Sequence, residues 1–224
     1  SERGSQLRSV AESESGTPII SIPPGSGSGT LIKGFTIDGL NATQGINCLQ
    51  SDPTVTECVV QNCLGPYDGG AMWFQQSGAV ITKNVIRNNT TPISGAGLFV
   101  RLGTGHGTLL IDGNTFYGNV GGNGPAISVM EGDNAVVAHN VAYNNTATPG
   151  SGRRGGIYIR GTNIQVRNNT SVGNTVGLTL LMCDGVDSRN NILTNNLEYG
   201  LQYLDDEYPQ NVNMTADYND VWSN

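Results

Sequence analysis

The sequence predicts an all-β protein, a right-handed single-stranded parallel β-helix (a solenoid) of about seven to eight coils with asparagine ladders at its turns. Three observations predict this fold: a motif that returns every 22 to 30 residues, two asparagine columns in constant register, and alternating apolar residues between the turns. Alternation is typical of strands rather than helices. Repeats of this length are typical of stacked units that bury their apolar faces against one another.

The repeated motif is clearest at residues 83–89, where one Asn is followed by another five positions later. The first column contains Asn84, Asn114, Asn140, Asn169, Asn191 and Asn219. The second column contains Asn89, Asn119, Asn145, Asn174, Asn196 and Asn224. We interpret both columns as corners, because Asn tolerates the left-handed backbone conformation and stacked Asn amides bond to each other. Glycosylation of Asn-x-Thr sequences is the alternative interpretation, and a sugar on a column Asn would prevent stacking.

Two further strands complete each predicted coil. One lies just before the first Asn column, with the inward residues Ile81, Ile111, Val137 and Val166. The other opens with a small residue, at Gly45, Ala71, Gly97, Ala126, Gly156, Gly177 and Gly200. Its first and third following positions are apolar in every coil, so they are expected to face a core. Three short parallel strands and three turns per repeat predict the β-helix.

The repeats resemble the right-handed parallel β-helix superfamily, the pectate-lyase-like proteins, across residues 18–224. Residues 32–37 (IKGFTI) are similar to an early coil of these proteins, and residues 217–222 (DYNDVW) are similar to a late coil of their secreted bacterial members. The resemblance implies the fold. It does not select an activity, because lyases, hydrolases, epimerases, adhesins and phage proteins share the scaffold.

We expect a single β-helix domain over residues 1–224, because solenoids grow by adding coils. Residues 1–17 are expected to form a partial coil or a loose N-terminal end. The chain ends on a ladder position without a capping helix, and a bare coil edge invites pairing with another chain. The sequence therefore predicts either a piece of a longer protein or end-to-end self-association through uncapped coils.

Composition disfavours two kinds of partner. The net charge is −7 and Lys+Arg number only 11, which disfavours both nucleic acid and an anionic membrane surface. No apolar run is long enough to span a bilayer. Cys58 and Cys63 are too far apart along an extended strand to form a disulfide, and Cys48 is expected in the core.

The outward positions of the strands that open with a small residue are the candidate ligand face. Trp73, Phe99 and Tyr158 all occupy the second position after the small residue. Exposed aromatic side chains on a solenoid indicate a binding surface, and sugar rings stack on such surfaces. We therefore predict that the three bind substrate. The alternative is that a long turn, at residues 61–70 or 146–155, covers them.

Arg101 and Arg160 lie two coils apart on the same predicted face, about 9.6 Å from each other. This spacing suits two carboxylates of a uronic-acid polymer, because Arg binds carboxylate through two parallel hydrogen bonds. The resemblance implies that basic catalytic residues and Ca²⁺ lie on this sheet. Arg101 and Arg160 are the candidates for the basic residues, which would neutralise the uronate or remove its proton. The alternative is that Glu131 or Asp133 pairs with these arginines in solvent.

Four acids near the end of the chain form the candidate metal site. They follow two consecutive small-residue-led strands and are Asp184, Asp205, Asp206 and Glu207. Ca²⁺ prefers several carboxylate and carbonyl oxygens, so we predict that any calcium binds here. A carboxylate pair for glycoside hydrolysis and a merely solubilising charged end are the alternatives.

His106 lies in a Gly-His-Gly tripeptide that is similar to a short polygalacturonase motif. The other motifs of that family are absent, so we interpret the tripeptide as a loop feature. The sequence as a whole predicts an extracellular or secreted carbohydrate-active protein that acts on or binds an acidic polysaccharide, including as a polysaccharide lyase. A non-catalytic surface, adhesion or assembly module is the alternative.

Overall fold

A computed structural model describes residues 6–8, 17–103, 106–151, 155–204 and 212–224. Of residues 6–8 it describes only the backbone. All the regular secondary structure in these ranges is β-strand, as the alternating pattern predicts.

The first nine strands are β1 (Gln6–Arg8), β2 (Ile20–Ile22), β3 (Leu31–Lys33), β4 (Thr36–Asp38), β5 (Ile46–Leu49), β6 (Thr54–Thr56), β7 (Val59–Gln61), β8 (Met72–Gln75) and β9 (Val80–Thr82). The next nine are β10 (Val85–Arg87), β11 (Leu98–Arg101), β12 (Leu110–Asp112), β13 (Thr115–Tyr117), β14 (Val120–Gly121), β15 (Ile127–Asp133), β16 (Val136–Ala138), β17 (Val141–Tyr143) and β18 (Thr146–Ala147). The last nine are β19 (Gly155–Thr162), β20 (Gln165–Arg167), β21 (Thr170–Val172), β22 (Val176–Leu181), β23 (Asp187–Arg189), β24 (Ile192–Thr194), β25 (Tyr199–Leu204), β26 (Thr215–Asp217) and β27 (Asp220–Trp222).

Strands from successive coils pair in parallel and form three long sheets. Sheet 1 has the order β2-β5-β8-β11-β15-β19-β22-β25 and contains the strands that open with a small residue. Sheet 2 has the order β3-β6-β9-β12-β16-β20-β23-β26, and sheet 3 has the order β1-β4-β7-β10-β13-β17-β21-β24-β27. The eight strands of sheet 1 agree with the predicted seven to eight coils.

The core lies between the three sheets and consists of one apolar cluster that runs along the solenoid. The predicted inward positions of sheet 1 are buried from Ile46 and Cys48 through Leu178 and Leu180. The last strand differs, because Tyr203 is 44 % exposed. Strand β25 is at the edge of sheet 1 in the described structure, so no further coil packs on that side chain.

Both asparagine columns form ladders, which confirms the prediction, and their members are buried except for the last ones, the half-buried Asn219 and the exposed Asn224. Each Nδ2 donates to Oδ1 of the next Asn, at 2.9–3.0 Å in the first column and 2.9–3.4 Å in the second. Asn140 illustrates the full set of contacts, since its Nδ2 also donates to the Ile111 carbonyl at 2.9 Å. Its Oδ1 accepts both the backbone N–H and the side-chain amide of Asn114, each at 3.0 Å.

The predicted reason for the asparagines at the corners is wrong in one respect. None of the ladder asparagines has a positive φ; the left-handed residue is the one immediately before each of them. In the first column this position is occupied, among others, by Lys83, His139, Asn168 and Asn190, with φ between 53° and 55°. The ladder Asn is therefore selected by its buried amide, and the corner conformation is carried by its neighbour.

The four cysteines are buried and none of them forms a disulfide, as expected for Cys48 and for the distant pair Cys58 and Cys63. Cys58 and Cys63 occupy ladder positions in the coil before the first Asn. Their backbone N–H groups donate to Oδ1 of Asn84 and Asn89, each at 2.9 Å. The ladders therefore begin on cysteine backbone groups rather than on amide side chains.

Candidate functional site

The outward face of sheet 1 is only partly open. Phe99 is 4 % exposed and Tyr158 is 0 % exposed, so the prediction that these two side chains line a binding groove is wrong. Ser128 and Thr179 in the same row are also buried. Trp73 is partly exposed, and its predicted role in binding stays a prediction.

The turns from sheet 3 to sheet 1 explain this burial, because they fold back onto sheet 1. A Cβ at Gly124 would lie 2.8 Å from Cβ of Tyr158, and a Cβ at Gly95 would lie 2.8 Å from Cα of Phe99. These turns also pair between coils, through the short strands β14 and β18. Coverage by turns therefore holds for Phe99 and Tyr158, but the turns that approach them contain Gly95 and Gly124 and are not the turns at residues 61–70 and 146–155 that the alternative interpretation named.

The two predicted catalytic arginines have different surroundings. Nε of Arg101 lies 3.5 Å from Oε2 of Glu131, so this guanidinium is paired with an acid as the alternative interpretation expected. Arg160 forms no ion pair in the described part of the chain. Of the two arginines, only Arg160 is therefore free to bind a ligand carboxylate.

A β-bulge shapes the surface around Arg160. In the pairing of β15 with β19, Val129 is opposite Ile159, whereas Gly132 is opposite Gly161. Met130 and Glu131 therefore both lie opposite the single residue Arg160. Bulges redirect side chains and are common beside active sites.

A cleft of about 340 Å³ lies at this bulge. It is lined by Leu102, Gly103, Glu131, Asp133, Arg160, Gly161, Thr162 and Met182. We call this the Arg160 cleft. It combines one cation free of ion pairs with two carboxylates and a hydroxyl group, which are groups that can bind a carboxylate and hydroxyl groups of a sugar.

A second cleft of about 280 Å³ surrounds Trp73, and we call it the Trp73 pocket. It is lined by Gln44, Asn47, Pro66, Tyr67, Asp68 and Trp73. Sequence reasoning placed residues 61–70 in a variable turn but missed Tyr67 and Asp68. The signal available was an aromatic residue beside an acid in a turn of variable length.

Only one of the four predicted calcium ligands lies within the described residues. Asp184 is exposed, and its Oδ1 accepts a hydrogen bond from Nδ2 of Asn213 at 2.9 Å. Asp205, Asp206 and Glu207 lie outside the described residues. Within the described ranges no group of three or more His, Cys, Asp or Glu side chains could hold a metal. Calcium binding stays a prediction.

His106 contacts Asp52, which lies two coils away. Its Nδ1 is 3.2 Å from Oδ1 of Asp52, and the same carboxylate accepts the backbone N–H groups of Gly78 at 2.7 Å and Gly107 at 3.3 Å. Burial acts to raise the pKa of Asp52, but these hydrogen bonds outweigh it and lower the pKa. We call these four residues the Asp52 clasp. Its geometry agrees with the interpretation of the tripeptide as a loop feature.

Fold and site together define a class: a parallel β-solenoid that presents two clefts on the outward face of one sheet. The chain matches the family described as "Right handed beta helix region" over residues 44–224, and it belongs to that family. No curated protein and no solved structure matches the chain. In the described part of the chain there is no helix of the length and apolarity that a membrane span requires.

Proposed function

We propose that the protein is a secreted polysaccharide-binding β-helix whose Arg160 cleft binds a carboxylate of an acidic sugar chain. The observation that carries the proposal is the guanidinium of Arg160, which has no ion-pair partner in the described structure and lines a cleft. Arg is suited to this role because its planar fork matches a carboxylate. Arg101 is not proposed to bind the ligand directly, since Glu131 already neutralises it.

Cleavage of the bound chain is a further part of the proposal. In a β-elimination the sugar carboxylate must be neutralised and a base must remove the proton on the adjacent carbon. A C=C double bond then forms as the glycosidic C–O bond on the next carbon breaks, and the leaving oxygen takes a proton from solvent. Arg160 is the group placed to neutralise the carboxylate. A guanidinium is not deprotonated in proteins, so Glu131 or Asp133 is a better base than either arginine. This revises the predicted catalytic role of Arg101 and Arg160.

Binding without cleavage is the second candidate, as in an adhesion or assembly module. One observation favours it: the Glu131 carboxylate lies 3.5 Å from Nε of Arg101, so this contact would have to be given up before Glu131 could approach a substrate proton. Release of unsaturated uronates from a panel of acidic polysaccharides separates the two candidates. Their absorbance rises with time if the protein is a lyase.

The proposal is tested with Arg160→Ala. We expect the affinity for hexagalacturonate, measured by calorimetry, to fall at least about tenfold, because a charge-assisted contact is lost. Lys33→Ala is the matched control, since it removes an exposed cation that pairs with Glu57 on sheet 2. Equal affinity of wild type and Arg160→Ala would exclude the Arg160 cleft as the carboxylate site.

A further inference from the structure

The Trp73 pocket differs in chemistry from the Arg160 cleft. No cationic side chain lines it, and two of its six lining residues are aromatic. Tyr67 is 70 % exposed and Trp73 is partly exposed, so both rings are accessible from solvent. Large aromatic rings in an open pocket favour a ligand with an apolar face.

The pocket is held in shape by Gln44. Its Nε2 donates to the carbonyl oxygens of Asp68 at 3.1 Å and of Gly69 at 2.6 Å, which fixes the turn that carries Tyr67. Its Oε1 accepts a hydrogen bond from Nδ2 of Asn47 at 3.3 Å. A pocket whose walls are already bonded to each other loses little freedom when a ligand enters.

Three polar groups of the pocket have no partner in the described structure. They are the indole N–H of Trp73, Oδ1 of Asn47 and the buried Oδ1 of Asp68. One is a donor and two are acceptors. Ser94 hydrogen-bonds to the Asp68 carboxylate, but Oδ1 itself is buried without a partner, and a ligand hydroxyl that reaches this atom would supply the missing hydrogen bond.

We propose that the Trp73 pocket binds one neutral pyranose ring, as a subsite separate from the Arg160 cleft. The apolar C–H face of the ring packs on the indole, and its hydroxyl groups bond to Asn47 and Asp68. A uronate is disfavoured, because its carboxylate would approach the Asp68 carboxylate and no cationic side chain lines the pocket. The charge of Arg101 acts on Asp68 from outside the pocket and is paired with Glu131. Burial raises the pKa of Asp68, while hydrogen bonds from Ser94 and the charge of Arg101 act to lower it.

The two clefts together define a class of polymer. Trp73 and Arg160 are three coils apart on one sheet, a separation of about 14 Å at the usual strand spacing. A chain lying across sheet 1 would place a neutral residue at Trp73 and an acidic residue at Arg160. The inferred ligand is a heteropolysaccharide that contains both kinds of sugar. This last step rests on the proposed function, whereas the neutral-sugar subsite does not.

The test uses four hexasaccharide probes and calorimetry on the full chain. Cellohexaose and mannohexaose are neutral, hexagalacturonate is acidic throughout, and a hyaluronan hexasaccharide alternates uronate with a neutral amino sugar. The variants are Trp73→Ala and Tyr67→Ala, and the latter changes an exposed side chain that the fold does not need. Trp222→Ala is the matched control, since it removes a tryptophan that is 50 % exposed on sheet 3.

We expect at least one neutral probe to bind the wild type, and each pocket variant to lower that affinity at least about tenfold. Trp222→Ala should leave neutral binding unchanged. Hyaluronan hexasaccharide should lose affinity in both Trp73→Ala and Arg160→Ala. The subsite is overturned if neither neutral probe binds, or if Trp73→Ala and Tyr67→Ala bind as the wild type does. In that case, an Arg160-dependent affinity for hexagalacturonate would still support the proposed function.

Discussion

At the scale of single residues, each corner uses two adjacent residues for two different purposes. The first adopts the left-handed backbone conformation, and the second is the ladder Asn, whose amide bonds to the neighbouring coils. Asn-Asn pairs such as Asn168-Asn169 show this division, since the first has φ 55° and the second is buried in the ladder. A left-handed residue costs little when it is Asn and more for most other residues. Position within the pair, rather than residue type, therefore decides which Asn tolerates substitution.

Gly124 lies in the turn that packs on Tyr158 of sheet 1, so its replacement should disturb the packing of this turn directly. We expect Gly124→Ala to destabilise the fold by more than about 1 kcal/mol, because its φ is 54° and the added Cβ would lie 2.4 Å from the Ile127 carbonyl oxygen. Gly25→Ala is the control, since its φ is 77° but the added methyl group would enter open space, with no atom within 4 Å. Urea denaturation measures both, and equal losses would show that backbone strain alone, without the clash, explains the effect.

At the scale of elements, turns from different coils are tied together beside sheet 1. The Asp52 clasp joins the turn after β5 to the turns after β8 and β11, through Gly78, His106 and Gly107. A Cβ at Gly78 would lie 2.2 Å from the Gly107 carbonyl oxygen, so the close approach requires glycine there. The turn after β11, which carries His106 and Gly107, begins with Leu102 and Gly103, and these two residues line the Arg160 cleft.

The clasp predicts a contribution to stability that depends on pH. The pKa of Asp52 is lowered in the folded state, so its stabilising effect is complete above the unfolded value of 3.8 and is lost as the pH falls below it. We expect wild type and Asp52→Asn to differ in free energy of unfolding at pH 6 and to converge toward pH 3. Guanidinium titrations at both pH values measure the difference. A gap that stays constant between them would contradict the role assigned to the carboxylate.

At the scale of the whole molecule, the two ladders run through successive coils and connect each coil to the next. An interior ladder Asn bonds to both neighbouring coils through its side chain, whereas Asn219 has a ladder neighbour on one side only in the described structure. The stability of a solenoid depends on such contacts between nearest neighbours. The cost of removing one amide should therefore depend on its position in the column.

We expect Asn140→Ala to cost about 1–3 kcal/mol in free energy of unfolding, because it removes the acceptor of the Asn114 backbone N–H and the amide donor to Oδ1 of Asn169 and to the Ile111 carbonyl. Asn219→Ala should cost less, since it leaves fewer groups unpaired. Chemical denaturation measures both variants. A larger loss for Asn219→Ala would contradict the ladder as the source of the effect.

Much of the fold could be predicted because its rules are local. A period of two within strands, and a constant five-residue spacing between Asn columns, determined three strands per coil, the buried rows and the ladders. The identity of the left-handed residue was missed because Asn suits both a left-handed turn and a buried ladder. Composition alone does not separate these two roles in an Asn-Asn pair.

The candidate site could be predicted only in outline. The sequence by itself determined that Trp73, Arg101 and Arg160 share the outward face of sheet 1. Only the tertiary structure decided that turns bury Phe99 and Tyr158, that Glu131 pairs with Arg101, and that Tyr67 and Asp68 join Trp73. The physical reason is that alternation along a strand determines which face of the sheet a side chain points to. Whether that side chain is then buried depends on turns from neighbouring coils. Their paths depend on packing and on bulges such as the one opposite Arg160, which no local pattern encodes.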